Sequence, residues 1–323
     1  MKIDINTVEK SNEKHNLHRK EKKYNLQRNQ KKLALFFLAP WIIGFLAFSL
    51  YPILATGFYS FTEYNLFDPP KWIGLANFNV MFHSSEFYTS LYNTFYYVIF
   101  GVGLQLFAAL ITALLLNMKV KGRAFYRAVY FLPSLMPPVA GALLWVWLLN
   151  PKYGLVNAIL GFFNLNQPLW LSSAEWAKPA IILMSLWGIG STMIIYLAGL
   201  GDIPSSYYEA VEIDGGGMWS KFRHVTWPLL TPITLFQVIS GIIAGFNVFT
   251  QSFIISAAGS GNSPIGGIKN SLLFYAVNIY QEAFSYLKFG YASALAWVML
   301  IIILLVTLII LKSSKKWVYY EGE

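Results

Sequence analysis

Three acids, Glu209, Glu212 and Asp214, stand within six residues, and a triple glycine, Gly215–Gly217, follows at once. Clustered carboxylates are the groups of general acid–base chemistry, and a glycine run is what a phosphate cradle needs. Neither reading is completed by its neighbours. The glycines lack the G-x-G-x-x-G spacing and a preceding strand, and no G-x-x-x-x-G-K-[ST] occurs, so no bound nucleotide is expected. The chain has no cysteine, which removes disulfides, thiolate metal sites and a thiol nucleophile. Its four histidines, His15, His18, His83 and His224, lie in tails and loops. One metal ion could bridge His15 and His18 by their spacing, but they sit in a strongly basic tail. No metal or other cofactor is expected.

The acids belong to a charged stretch, "YYEAVEIDGGGMWSKFRHVTWPLLTP" (207–232), inside a chain of 323 residues that is 56% hydrophobic and 12% charged. A soluble domain is about a quarter charged. The apolar residues come in blocks, and about 20 of them cross a hydrocarbon layer about 30 Å thick. Six blocks have that length: Leu33–Ile53, Leu91–Leu116, Val129–Leu149, Pro179–Leu200, Leu229–Ser256 and Gly290–Leu311. None contains Asp, Glu, Lys, Arg or His. The pattern predicts an all-α integral-membrane bundle of six transmembrane helices over residues 33–311. A basic tail (1–32) precedes it and a short tail (312–323) follows. Residues 1–32 are too long and polar for a signal-peptide start, so the first block is read as an uncleaved helix.

Spans without ionisable groups lack the relays on which proton-coupled transporters depend, so uphill transport would draw its energy from another subunit. The net charge of +9 would point to nucleic acid in a soluble protein. Here the basic residues flank the spans, anionic lipid is the expected counter-charge, and no nucleic-acid partner is expected. Lys and Arg number 19 on one set of alternate connections and 5 on the other. The richer set is expected to be cytoplasmic, which puts both termini and residues 207–232 inside.

Within the charged stretch, Ser206 and Glu209 have capping-box spacing, predicting a helix over Tyr207–Asp214 that Gly215–Gly217 stop. A second short helix is predicted over Met218–Thr226, with Pro228 and Pro232 opening the fifth span. An eight-residue helix is marginal alone in water, so it rests on something. Physics leaves two supports open, a groove on a partner or the protein's own bundle. In the fifth span, Gln237, Ser240, Ala244, Asn247 and Gln251 step by three and four residues and share a face. Such a stripe either binds helix to helix or lines a wet path with groups suited to sugar hydroxyls. Gln105 and Thr112 form a weaker stripe in the second span.

"EAVEIDG" (209–215), Phe222 and "VTWPLLTP" (225–232) resemble the EAA loop of the permease subunits of binding-protein-dependent ABC importers, in the flavour found with oligosaccharides and related carbohydrates. "LYNTFYYVIFGVGLQLFAALITALLLN" (91–117), "FYRAVYFLPSLMPPVAGALLWVWLLNPKYGLVNAIL" (125–160) and "FGYASALAWVMLIIILLVTLI" (289–309) are similar to that family's other spans. The resemblance covers roughly residues 90 to 320 and implies the type I importer permease fold. It makes residues 202–228 a cytoplasmic coupling loop, with Glu209, Ala210, Asp214 and Gly215 matching the family's coupling residues. Gly215 matches the turn glycine, where the family leaves no room for a Cβ. It implies a bacterial cytoplasmic-membrane subunit without catalysis of its own, and a path for a sugar or oligosaccharide that includes Gln237, Ser240, Asn247 and Gln251. The implied partners are a second related permease (a heterodimer), two ATPase subunits and an extracytoplasmic solute-binding protein. A stand-alone secondary transporter or channel is the alternative. The chain departs from the family at Val211 and Gly216, usually alanines, and at Trp227, usually leucine. "ISAAGSGNSP" (255–264) stands where relatives often carry T-x-G-G-P.

Overall fold

The computed structural model describes residues 33, 36–118, 121–258 and 265–319. The tail 1–32 with His15 and His18, and most of the stretch 255–264, lie outside them. The chain divides into two compact units, Met1–Phe58 and Tyr59–Glu323. From residue 36 on, the first unit is one helix, α1 (Phe36–Tyr59), whose last residue falls in the second unit and which is long and apolar enough to cross a membrane. It is apolar all round and buries none of its residues, as a helix solvated by lipid does.

The second unit opens with a two-stranded hairpin, β1 (Thr62–Glu63) and β2 (Lys71–Trp72), paired antiparallel with Thr62 opposite Trp72. A short helix α2 (Ala76–His83) leads into α3 (Ser85–Asn117), the second span. Next come α4 (Arg123–Leu135) and α5 (Pro138–Leu148), the surface helix α6 (Leu155–Phe162), and α7 (Ala174–Trp187) with α8 (Gly190–Asp202). The charged stretch forms α9 (Ser205–Ile213), and α10 (Met218–Ala257) is the fifth span. α11 (Tyr275–Tyr280) precedes the last span, α12 (Phe289–Ser314).

Counting each bent pair as one gives six spans, but spans three and four are not the continuous helices the sequence predicts. α4 and α5 meet at 100°, α7 and α8 at 47°. The cause at the first break is Pro137–Pro138, which removes two donors and drives Met136 to an extended ψ of 136°. At the second, Gly188 and Gly190 flank the bend, and a Cβ on Gly190 would overlap the Tyr130 carbonyl oxygen. The two broken spans therefore touch backbone to backbone beside their breaks.

Two interactions set the cavity described below. α10 lies close against α3 because Gly241 and Gly245 present no side chain: a Cβ there would come within 2.6 Å of Val102 Cγ1 and 2.9 Å of Val98 Cγ2. Toward the N-terminal end of α3, the buried Asn93 amide donates to the carbonyls of Asn270 (2.9 Å) and Leu273 (3.0 Å) and accepts from Lys178 Nζ (3.2 Å). Thr94 Oγ1 accepts the Tyr275 backbone N–H at 2.9 Å. This seam satisfies the irregular backbone between α10 and α12, where Lys269 and Asn270 have positive φ.

An Asn93→Leu substitution takes a donor from two carbonyls, of which that of Asn270 keeps the Leu273 N–H, and leaves Lys178 only its contacts with the Tyr92 and Tyr96 rings. The expected loss is about 2–3 kcal/mol of stability, read as a lower thermal midpoint of the detergent-purified protein.

Candidate functional site

α9 starts two residues before its predicted place. Pro204 is extended at ψ 137° and serves as N-cap without a side-chain bond, so Ser206 falls inside the first turn and the Ser206–Glu209 capping box does not form. Glu209 is left exposed, as are Ala210, Asp214 and Gly215. No residue of α9 is fully buried; Tyr208 and Val211 are half-buried.

The C-terminal end is closely specified. The Gly216 N–H donates to the Val211 carbonyl (2.8 Å) and the Gly215 N–H to that of Glu212 (3.0 Å), a Schellman closure. Gly215 is needed for its φ of 77° and not for want of room, since a Cβ there would meet nothing within 4 Å. Gly216 is the crowded one: its Cβ would lie 2.5 Å from Val211 Cγ1 and 2.9 Å from the Val211 carbonyl oxygen. The two departures from the family's alanines thus compensate in space, the larger residue at 211 taking the volume vacated at 216. Lys221 Nζ meets Glu212 Oε1 at 2.5 Å across the turn, and the Tyr208 hydroxyl pairs with Thr226 Oγ1 at 3.1 Å. Trp219 stacks on Phe222, which leans on Trp227. Around the turn, Ile213, Met218 and Trp219 are 86%, 78% and 71% exposed, an apolar tip on a polar segment.

The separate helix predicted over Met218–Thr226 is instead the start of α10. A π-helical turn, Phe222–Thr226, carries the chain past Pro228 into the span without a break. The wider turn makes room for the proline ring.

All four sequence-predicted path residues, Gln237, Ser240, Asn247 and Gln251, line one cavity of about 410 Å³, with Gln105 and Thr192 on the facing helices. Gln237 is 5% exposed and donates from Nε2 to the Thr192 carbonyl at 3.3 Å, so it also binds α10 to α8. Asn247 Nδ2 donates to the Ile243 carbonyl at 2.8 Å, where α10 breaks at residues 247–249. Gln105, Ser240 and Gln251 make no side-chain hydrogen bond among the described residues. Thr112 does not join them: its hydroxyl donates to the Ala108 carbonyl of its own helix. A second cavity of about 230 Å³ shares Tyr97, Pro138 and Gln251 with the first and reaches both helix breaks at Pro137 and Gly188. No charged residue lines either. Tyr97 and Thr192 had no polar periodicity to mark them in the sequence.

A larger cavity, about 890 Å³, lies elsewhere, between the β1–β2 hairpin and the start of α12. Burial pushes the carboxyl of Glu282 there above its ordinary range, against the pull of Lys288 at 3.6 Å.

Residues 105–318 match the family described as binding-protein-dependent transport system inner membrane component. The chain is 45% identical over 290 residues to the probable ABC transporter permease protein YesP of Bacillus subtilis, covering 89% of this chain and 92% of that one. It is 32% identical over 290 residues to the arabinooligosaccharides transport system permease protein AraP of the same organism, covering 89% of each. Among solved structures, a chain of a bacterial alginate ABC transporter, in complex with an alginate pentasaccharide-bound periplasmic protein, superposes with a TM-score of 0.77. That match has 21% identity and covers 89% of this chain and 96% of the other.

The compensation at the turn predicts a double-mutant result. Gly216→Ala alone overpacks the closure by about 1–3 kcal/mol and speeds limited proteolysis within 207–232. Adding Val211→Ala recovers most of the protection.

Proposed function

This chain belongs to the family of binding-protein-dependent transport system inner membrane components, and from that premise we propose that its polar cavity passes a neutral sugar or oligosaccharide. As a member it is a multi-pass membrane subunit of an ABC importer, with the fold of that class. Membership takes it out of the class of stand-alone secondary transporters and channels. The observation that carries the substrate reading is the convergence of Gln105, Gln237, Ser240, Asn247 and Gln251 on one cavity without a charged residue. Amides and hydroxyls exchange hydrogen bonds with a polyol about as water does, so the solute crosses without being trapped. The names of relatives that handle arabinooligosaccharides, trehalose and maltose support the same class.

In the proposed assembly this subunit pairs with a second, related permease. Two ATPase subunits bind on the cytoplasmic side and hydrolyse ATP, and a solute-binding protein delivers the sugar from outside. The tails 1–32 and 312–323 are cytoplasmic, in accord with the excess of Lys and Arg on that side. α9 is the coupling element: Glu209 meets a basic group of the ATPase, Ala210 keeps the contact face low, and Asp214 and Gly215 end the helix. The apolar tip at Ile213, Met218 and Trp219 fills the groove that receives it. The helix breaks at Pro137 and Gly188 stand beside the cavity, where backbone interruptions allow two discrete arrangements of a span.

Two measurements on the reconstituted complex test this reading. Glu209→Lys is expected to leave membrane insertion and basal ATP hydrolysis intact while uptake falls to background; wild-type uptake removes the coupling role. Asn247→Leu with Gln251→Leu is expected to cut uptake of a neutral oligosaccharide roughly tenfold or more, at about 1 kcal/mol per hydrogen bond lost. Unchanged uptake moves the path elsewhere.

A further inference from the structure

On α4, ahead of the bend in the third span, the molecule holds two guanidinium groups that neither the cavity nor the coupling segment uses. Arg123 and Arg127 stand four residues apart on α4 and share a face. Both are half-buried, and the Nε of each is sealed from solvent with no hydrogen-bond partner. Arg123 donates one bond, from Nη2 to Asn117 Oδ1 at 3.2 Å. Arg127 donates none among the described residues, and no described carboxylate pairs with either: the ion pairs there are Lys221–Glu212 and Lys288–Glu282. Half-exposed guanidinium groups with no carboxylate partner keep terminal N–H donors free for an anion from outside the chain.

The surroundings say which anion. The opposite face of α4 carries Phe125 and Val129, 69% and 49% exposed. A helix with guanidinium groups on one face and exposed apolar side chains on the other lies at a bilayer interface. The 100° bend between α4 and α5 turns it away from the direction of the span. At that depth the abundant anion is the phosphodiester of a lipid headgroup. The planar fork of arginine fits phosphate bidentately, and two forks one turn apart can hold one headgroup from both sides. We propose that the Arg123–Arg127 face of α4 is a binding site for the headgroup phosphate of an anionic phospholipid such as phosphatidylglycerol. A zwitterionic headgroup brings its own ammonium and gains less from two added cations.

The test uses the full chain in its assembled complex, exchanged into mixed micelles of detergent with equal phosphatidylglycerol and phosphatidylcholine. Retained lipid is measured by extraction and mass spectrometry. The wild type is expected to retain phosphatidylglycerol in preference, and the preference is expected to fall as salt rises from about 0.1 to 0.5 M, because screening reaches an interfacial pair. Arg123→Gln with Arg127→Gln is expected to lower the preference by up to roughly thirtyfold, from the contribution that each basic residue makes beside an anionic leaflet. Arg123→Lys with Arg127→Lys, which keeps the charge and the fold, is expected to retain part of the preference. An unchanged preference in the glutamine variant overturns the site. So does equal displacement of bound phosphatidylglycerol by millimolar inorganic phosphate, which would mark a free-anion site. Loss of a partner subunit with lipid retention intact also overturns it, since the arginines would then face protein.

Discussion

A polar group in hydrocarbon has no water to fall back on, and the second unit is organised around that constraint. Hydroxyls inside the spans turn back on their own helix: Thr94 to Ser90, Thr112 to Ala108, Thr234 to Leu230. The irregular backbone before α11 is satisfied by Asn93, whose amide reaches two carbonyls at once. Where α10 breaks, the Asn247 side chain caps the carbonyl of Ile243. Against this near-complete satisfaction, the cavity stands out as the place where several amides and a hydroxyl in one stripe keep bonding capacity in reserve. A group retained in lipid without an internal partner has its partner elsewhere, and in the proposed path a passing polyol is that partner.

The six spans were legible because span length is a matter of counting apolar residues. The breaks in spans three and four were not, because the count is blind to backbone direction. Pro137–Pro138 and Gly188 were visible, but lipid-embedded helices often carry such residues without bending by 100°. The polar stripe on α10 was legible because 3.6-residue periodicity survives any tertiary arrangement; Thr192 and Tyr97 were not, because their place is set by how α8 and α3 pack against it. Asn93 carried no local signal at all, since its partners lie about 180 residues downstream. The capping box failed by two residues: Pro204, extended at ψ 137°, opens the helix at Ser205, so the spacing of Ser206 and Glu209 was real but out of phase with the cap.

The charged stretch shows how far local chemistry can fix a shape without burial. α9 has no buried residue to hold it, yet its end is set by a left-handed glycine, two closing hydrogen bonds and a short ion pair across the turn. An exposed ion pair contributes little by itself. Its geometry matters more, because Lys221 belongs to α10 and Glu212 to α9, so the pair fixes the angle between the two. The Tyr208–Thr226 bond does the same from the other side.

That angle gives the proposed coupling its mechanical content. Had a separate helix ended at Thr226, movement of α9 would be absorbed in a joint before reaching the membrane. Instead Met218 to Phe246 is one helical run of about 43 Å at the usual rise per residue. Its far end carries Ser240 and, just beyond Phe246, Asn247 at the wall of the cavity. A rigid rod displaced at the tip must translate or tilt along its whole length, and its close contact with α3 through Gly241 and Gly245 leaves little freedom to do so by bending there. The displacement is then taken up where the backbone is already interrupted, at residues 247–249 and at the breaks beside Pro137 and Gly188, all of which border the two cavities. The interrupted backbone and the polar groups border the same two cavities, so in the proposed mechanism a push at the tip of α9 reaches the path.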